Sequence, residues 1–449
     1  MQVNGWRNIA NAAGFLAIFS AIALASMAAQ AQAQAQTLTD LKCTGTPGIP
    51  WDQQIAGCTD AINSKKFIGK DLATAYKARG NVYFSNRDID HAIADYTEAT
   101  RVDPDNAFAF NNLGNAYKTK GDAVHALASY DQTIKLDPNA GYAFNGRGTV
   151  YLDRGDLDRA IADFNKAIQL DPKDAFAFNN RGNVFYLRRD FDHAIADYTE
   201  AIRLDPKYAM AFNNRATAYR DNGDLERAIA DYDEALRLVP DYVRALISRG
   251  GAYVFKRDYD RAIADANEAI RLSPTDPMPY NNRGLAYQAK GDPDHAFADY
   301  SEAIRLDPKD AIAFGNRGAI YQQRGDLDRA IADYDQATRF DPNYAFAFNN
   351  RGLAYRDRKD YDRAIADFNE AIRIHPQFVV AINNRGNTYK AKGDLDRAIA
   401  DYDLVIRIYP AHASALYARG KTKQLKGDNA GGEADIAAAK KINPNVESP

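Results

Sequence analysis

Cysteine is nearly missing from this sequence. Two occur in 449 residues, Cys43 and Cys58, and none follows. That excludes a disulfide-dense fold and any cysteine-rich metal site past residue 58. Charge of one sign is missing too: 57 Lys and Arg face 60 Asp and Glu, a formal net charge of −3. Basic residues are not clustered, so nucleic acid is not expected as a partner. Long apolar runs are missing except for one, residues 12–29, so nothing else is long enough to cross a membrane. Enzyme motifs are missing as well. The "NGRG" at 145–148 is a lone G-x-G without the strand that a phosphate loop requires. No Ser/His/Asp or Cys/His set stands outside the pattern described next, and no catalytic activity or cofactor is expected.

What is present is a period. Pro104, Pro138, Pro172, Pro206, Pro240, Pro274, Pro308, Pro342, Pro376, Pro410 and Pro444 stand 34 residues apart. A fixed period of this length is the signature of a solenoid, in which each unit packs only on its neighbours. With the proline at position 32, the units begin at residue 73 and run to 444.

One unit shows the build. In "AFAFNNRGNVFYLR" (175–188), Phe178, Gly182 and Phe185 recur at helical spacing. Arg189 and Asp190 break the pattern, and Asp190 is a helix N-cap candidate. "FDHAIADYTEAIRL" (191–204) then places Ala194, Ile195, Tyr198, Ala201 and Ile202 on one face before Asp205-Pro206 ends the helix. Each unit is therefore a helical hairpin. An Asp holds the second N-cap in all eleven units, from Asp88 to Asp428. The residue before it is Gly in seven units, suited to a left-handed turn; the others carry Arg87, Arg189, Arg257 and Lys359.

This pattern resembles the tetratricopeptide repeat (TPR) family. Position 8 is Gly except at Ala216, position 11 is aromatic from Tyr83 to Tyr389, and position 20 is Ala from Ala92 to Ala398. The resemblance implies an all-α fold, a right-handed superhelical solenoid of about eleven tandem 34-residue hairpins. It says little of the partner, because this fold serves many.

The ends follow a different logic. Arg7, the apolar run and the Ala-x-Ala sites ending at Ala31, Ala33 or Ala35 read as a secretory signal peptide over residues 1–35. An uncleaved membrane anchor is the alternative. With the signal removed no membrane insertion is expected, and the location is exported, periplasmic or cell-envelope associated. Residues 36–72 read as a cap: "DQQIAGCTDAI" (52–62) echoes "DHAIADYTEAT" (90–100), with Cys58 in the place of Tyr96. Export permits a Cys43–Cys58 disulfide that staples this cap. A redox or metal pair would want C-x-x-C spacing or a neighbouring His, and has neither. The last unit is degenerate, with Lys423, Gly432 and Ile436 at signature positions, as expected of a terminal repeat. Residues 445–449 are a short tail.

Two pairs of positions speak to each other. Position 7 is Arg in ten units and position 23 is Asp in ten; the unit carrying Leu113 is the one carrying Ser129. An Arg beside a packed face is costly unless paired, so an Arg–Asp bridge within each hairpin is expected. His91, His125, His193 and His295 share position 19, which is Arg in six other units. That exchange marks helix surface, not a metal ligand.

Asparagine recurs at positions 5 and 6, and this is costly because Asn is a poor helix former. Position 5 includes Asn111, Asn179, Asn213, Asn281, Asn349 and Asn383; position 6 includes Asn112, Asn180, Asn214, Asn282, Asn350 and Asn384. Aromatic Phe108, Phe176 and Phe346 stand at position 2. Helical spacing puts positions 2, 5, 6 and 9 on one side of the first helix, away from the packed stripe. In the TPR family that side lines the concave groove. An amide both donates and accepts, which suits an extended peptide backbone, and these residues are candidates for a peptide groove. Copying of near-identical repeats is the plainer account of their recurrence. Lys77, Asn81 and Asn112 match half of the carboxylate clamp known in the family, but Tyr142 and Gly146 stand where its next basic residues belong.

The expected function is an exported scaffold that binds protein or peptide partners, by holding extended polypeptide in the Asn-lined groove. The alternative is a structural scaffold of envelope or polysaccharide-export machinery, acting through convex or terminal surfaces. Self-association is left open. One junction looks weak: the sixth unit has Leu246, Ile247 and Ser248 at positions 4–6 and Ala266 where an aromatic belongs. Missing contacts there suggest a hinge between units six and seven.

Overall fold

The structure is a computed structural model and describes residues 42–43 and 48–446. The signal-like segment and most of the tail lie outside the described residues. Among the described residues there are 23 α-helices and no strand. The first, α1 (Trp51–Asn63), has no helix ahead of it among the described residues; the other 22 form eleven hairpins, from α2 (Gly69–Ser85) with α3 (Ile89–Val102) to α22 (Ala413–Leu425) with α23 (Asn429–Ile442). The two helices of a hairpin are called A and B below. None of the described helices is long and apolar enough to cross a membrane.

Local chemistry sets the boundaries. Each B helix opens on an Asp whose carboxylate accepts the backbone N–H three residues on, as Asp156 does from Arg159 and Asp224 from Arg227. The residue before each of these caps has positive φ. Gly155 sits at 76° and Gly325 at 77°; Arg87, Arg189, Arg257 and Lys359 are held at 61–64°. Asp-Pro then ends most B helices, the Asp amide still bonding back to the last turn, as Asp205 does to Ala201.

The described chain divides into two compact units, one up to Arg227 and one from Ala228. Each is a stack of hairpins with the same core. The position-24 aromatic is fully buried, as at Phe164, Tyr198, Tyr300 and Phe368. Position 8 must be small to admit it: a Cβ on Gly182 would lie 2.8 Å from the Tyr198 ring, and one on Gly352 2.8 Å from Phe368. In the first unit Cys43 and Cys58 meet with Cα atoms 4.5 Å apart and sulfurs at 2.11 Å. They pack with Ala61, Ala75 and Phe67, so the cysteine pair occupies the core position that an aromatic fills elsewhere. In the second unit Val446 folds under the last hairpin against Leu416 and Ala439.

The junction after the sixth hairpin differs from expectation. Ala266 is only 2% exposed, and Asn282 Nδ2 donates to the Ile247 carbonyl across the junction at 2.9 Å. The small side chain is met by closer helix approach, not by an open gap.

Candidate functional site

Position 7 is the strongest electrostatic feature. In nine repeats its Arg is bidentate to Asp 16 residues on in the same hairpin; Arg181 Nε and Nη2 reach Asp197 at 2.8 and 2.7 Å. The expected bridge is present. It also has a third arm. Nη1 reaches back to position 25 of the preceding hairpin: Arg147 to Asp131 at 2.6 Å, Arg181 to Asn165 at 2.7 Å, Arg317 to Ser301 at 3.4 Å. Where Leu113 replaces the Arg it packs with Tyr96 and Ala116, and Ser129 turns to the His125 carbonyl.

Position 19 is a surface clamp. His91, His125 and His295 stack on Tyr83, Tyr117 and Tyr287 and bond the N-cap Asp; His193 does the same over Phe185. Arg159 and Arg227 occupy the same place over Tyr151 and Tyr219.

The asparagines answer to a different geometry from the one expected. Position 5 is not on an open face. Asn111, Asn179, Asn213, Asn281 and Asn349 are all buried; Asn383 is half-buried. Position 6 is half-buried and bonds backwards. Asn180 Nδ2 donates to Asn145 Oδ1 at 2.9 Å, Asn214 to Asn179 at 3.0 Å, and Asn384 to Asn349 at 2.9 Å. Asn112 donates to Asn81 at 3.0 Å, and Asn81 in turn accepts from the Tyr96 hydroxyl. Asn349 also donates to Asn350, and Asn281 to Asp310. So the paired amides couple neighbouring repeats, which supplies an internal reason for a poor helix former. Asn111, Asn213, Asn281 and Asn383 each keep an Oδ1, and Asn179 an Nδ2, without a hydrogen-bond partner.

Position 2 lies at the rim of this amide row. In the first unit Phe108 stacks on Tyr142 with centroids 5.4 Å apart, and Phe176 meets Tyr208 edge-on. In the second unit Phe346 likewise meets Phe378 edge-on, with centroids 4.9 Å apart, while Met278, Ile312, Phe346 and Val380 each keep 52–56% exposure. Sequence reasoning named Phe346 and missed the other three, since they share size and apolarity but no ring. Charges sit farther along the A helices. Lys118 donates to Thr149 at 3.1 Å, and burial holds its ammonium low. The Tyr186 hydroxyl bonds Asp221 at 2.5 Å, and Gln322 bonds Asp357 at 3.2 Å. Burial, and Lys421 beside it, also hold Lys390 low.

Family models of the tetratricopeptide repeat match residues 71–121, 148–188 and 318–357, residues 179–243 and 213–277, residues 278–310 and 345–378, residues 300–332, and residues 109–140 and 379–412. The chain belongs to the tetratricopeptide repeat family. No curated protein matches this TPR chain by sequence. Among solved structures it is similar to the APC/C hetero-tetramer Cut9–Hcn1, 12% identical over 88% of this chain and 91% of that one, with a TM-score of 0.50. A tetratricopeptide repeat protein from Parabacteroides merdae is 21% identical over 55% of this chain and 98% of that one, with a TM-score of 0.47. At 12% identity the likeness to Cut9–Hcn1 shows the fold alone.

Proposed function

We propose that this TPR protein is an exported scaffold that binds extended polypeptide along the A-helix face, within the concave groove that this fold forms. One observation carries the reading: exposed apolar side chains at position 2 of four successive repeats, Met278, Ile312, Phe346 and Val380, stand beside a row of half-buried amides. An exposed apolar row rimmed by polar groups marks an interaction surface, and amides suit a chain whose backbone groups are unpaired. The Arg7 segment and Ala-x-Ala sites support export, and the paired cysteines fit an oxidising compartment. Catalysis and nucleic acid have no support in the balanced charge or in the repeat pattern. The test is panning of a random peptide library on the full mature chain and on a Met278→Ser/Phe346→Ser variant. Enrichment that disappears in the variant supports the groove. Enrichment that survives it, or a protein recovered from the cytosol with Met1 intact, would sink this reading in favour of a scaffold using its outer or terminal surfaces.

A further inference from the structure

The cap joins the first full repeat through the loop 64–68, and this connection is longer than the regular one. Asp52 of the cap corresponds to Asp90, 38 residues on, against a period of 34. The extra length is helical. α2 begins at Gly69, four residues before repeat position 1, whereas the next A helices begin at that position, as at Ala107, Gly141 and Ala175. Four residues of helix are about 6 Å, so the loop stands about that much farther out than the loops entering the next repeats. Its shape is fixed from within. Ser64 Oγ donates to the Ala61 carbonyl at 2.7 Å and accepts the Lys66 N–H at 3.3 Å. Phe67 turns inward and packs on the core of Cys43, Cys58, Ala61 and Ala75. Ile68 follows in extended backbone, with φ −137° and ψ 162°, and successive side chains of an extended chain point opposite ways. Ile68 is accordingly 77% exposed, more than any other large apolar side chain among the described residues.

The tip is basic as well as apolar. Lys65, Lys66 and Lys70 flank Ile68 in sequence, and all three are exposed. Many exposed cations of the repeats have carboxylates beside them, as Lys120 has Asp90 at 2.7 Å, Arg101 has Glu98 at 2.9 Å and Arg203 has Glu200 at 2.6 Å. Among the described residues Lys65, Lys66 and Lys70 make no ion pair, and Asp71 is the one carboxylate between residues 61 and 71. Gly69, at φ 51°, has nothing within 4 Å of where a Cβ would stand, so no described residue covers that side of the tip. A raised apolar side chain among ammonium groups matches a soft anionic surface. The side chain enters the acyl boundary, and the lysine heads stay with the headgroup phosphates. The cap also follows the apolar run 12–29 in the chain, and a secretory signal or an anchor meets a membrane in either case.

We propose that residues 64–70 are a contact with an anionic lipid surface: Ile68 inserts at the bilayer interface while Lys65, Lys66 and Lys70 hold the headgroup phosphates. The chain then lies against the membrane by its cap and does not cross it. This surface is separate from the A-helix groove, and either reading stands without the other.

Co-sedimentation of the full mature chain with lipid vesicles tests it. Phosphatidylcholine vesicles containing about one third phosphatidylglycerol should bind the chain at low salt, pure phosphatidylcholine vesicles should not, and about 0.5 M salt should release it. Lys65→Gln/Lys66→Gln/Lys70→Gln should weaken the partition at least about tenfold, since each lysine near such a surface contributes roughly fivefold. Ile68→Ser should weaken it about tenfold. Both variants should melt near the parent, because the substituted side chains are exposed. Lys440→Gln/Lys441→Gln removes two exposed lysines of the last helix and should change the partition less than about twofold. Trp51 is the only tryptophan after Trp6, so Ile68→Trp in a Trp51→Phe background reports on the tip alone. Its emission should shift to the blue when the mixed vesicles are added. Binding that the substitutions at Lys440 and Lys441 weaken as much as the triple variant overturns the proposal by reducing it to overall charge. Binding without the blue shift overturns it too, as does no binding to the mixed vesicles. A preference for soluble poly-glutamate over the vesicles would also overturn it, by assigning the tip to an acidic polypeptide.

Discussion

Gly182 and Gly250 stand at the same position of their repeats, but only one of them is held there by a ring. A Cβ at 182 meets the buried Tyr198 at 2.8 Å, whereas a Cβ at 250 meets Asp265 Cβ at 3.4 Å and the Ala262 carbonyl oxygen at 3.5 Å, both ordinary contacts. Gly182→Ala should therefore cost about 1–3 kcal/mol by overpacking. Gly250→Ala should stabilise by up to about 1 kcal/mol, since Gly is poor in a helix interior. Denaturant titration of the two variants decides this, and equal costs would refute it. The same contrast reverses an expectation about Ala266. Its junction is closed, so Ala266→Tyr should destabilise it and speed hydrogen exchange near residues 266 and 278. The sequence signalled the missing ring; it could not signal that the helices move in. Position 5 escaped for the same reason. A helical wheel places Asn179 away from its own hairpin but says nothing of the neighbour that buries it.

At the scale of the element, the Arg–Asp bridge is best read against its natural absence. The co-change of Leu113 with Ser129 made the pair legible. The third arm was not, because Asp131, Asn165 and Ser301 share only the ability to accept a hydrogen bond. Removing one partner leaves a buried charge unpaired, so Arg181→Leu should cost about 3 kcal/mol. Arg181→Leu with Asp197→Ser should recover most of that, as the second repeat does. A double-mutant cycle measures the coupling, and additive losses would contradict it. The B-helix caps add a pH dependence. Backbone and side-chain bonds from His125 hold Asp122 below the ordinary carboxylate range, and bonds from Arg159 and Arg329 do the same for Asp156 and Asp326. A lowered folded-state pKa gives stability that is present above the unfolded value, about 3.9, and lost as pH falls through the folded one. Helical signal should therefore hold from pH 7 to 5 and fall below about pH 4. Circular dichroism across that range is the check; a midpoint near pH 6 would point to other groups.

Across the whole molecule, the period made the fold and the hairpin boundaries readable, because every repeat states the same grammar. The ends have no such redundancy. The cysteine pair spans 15 residues, and closing that loop contributes about 3 kcal/mol in the chain-entropy model. Reduction should loosen the first hairpin and leave the last unchanged. Intact mass before and after alkylation shows the state of the two thiols, and two free thiols in exported protein would refute the staple.

The third arm of the position-7 Arg has a consequence for how such a chain changes length. Arg351 takes its backward bond from Asp335, but Ser301, one repeat earlier, serves Arg317 in the same way. If residues 311–344 were excised, Arg351 would meet Ser301 and find an acceptor already in place. Every joint with Arg at position 7 accepts any neighbour that offers an oxygen there, so the array can gain or lose whole repeats without inventing a new interface.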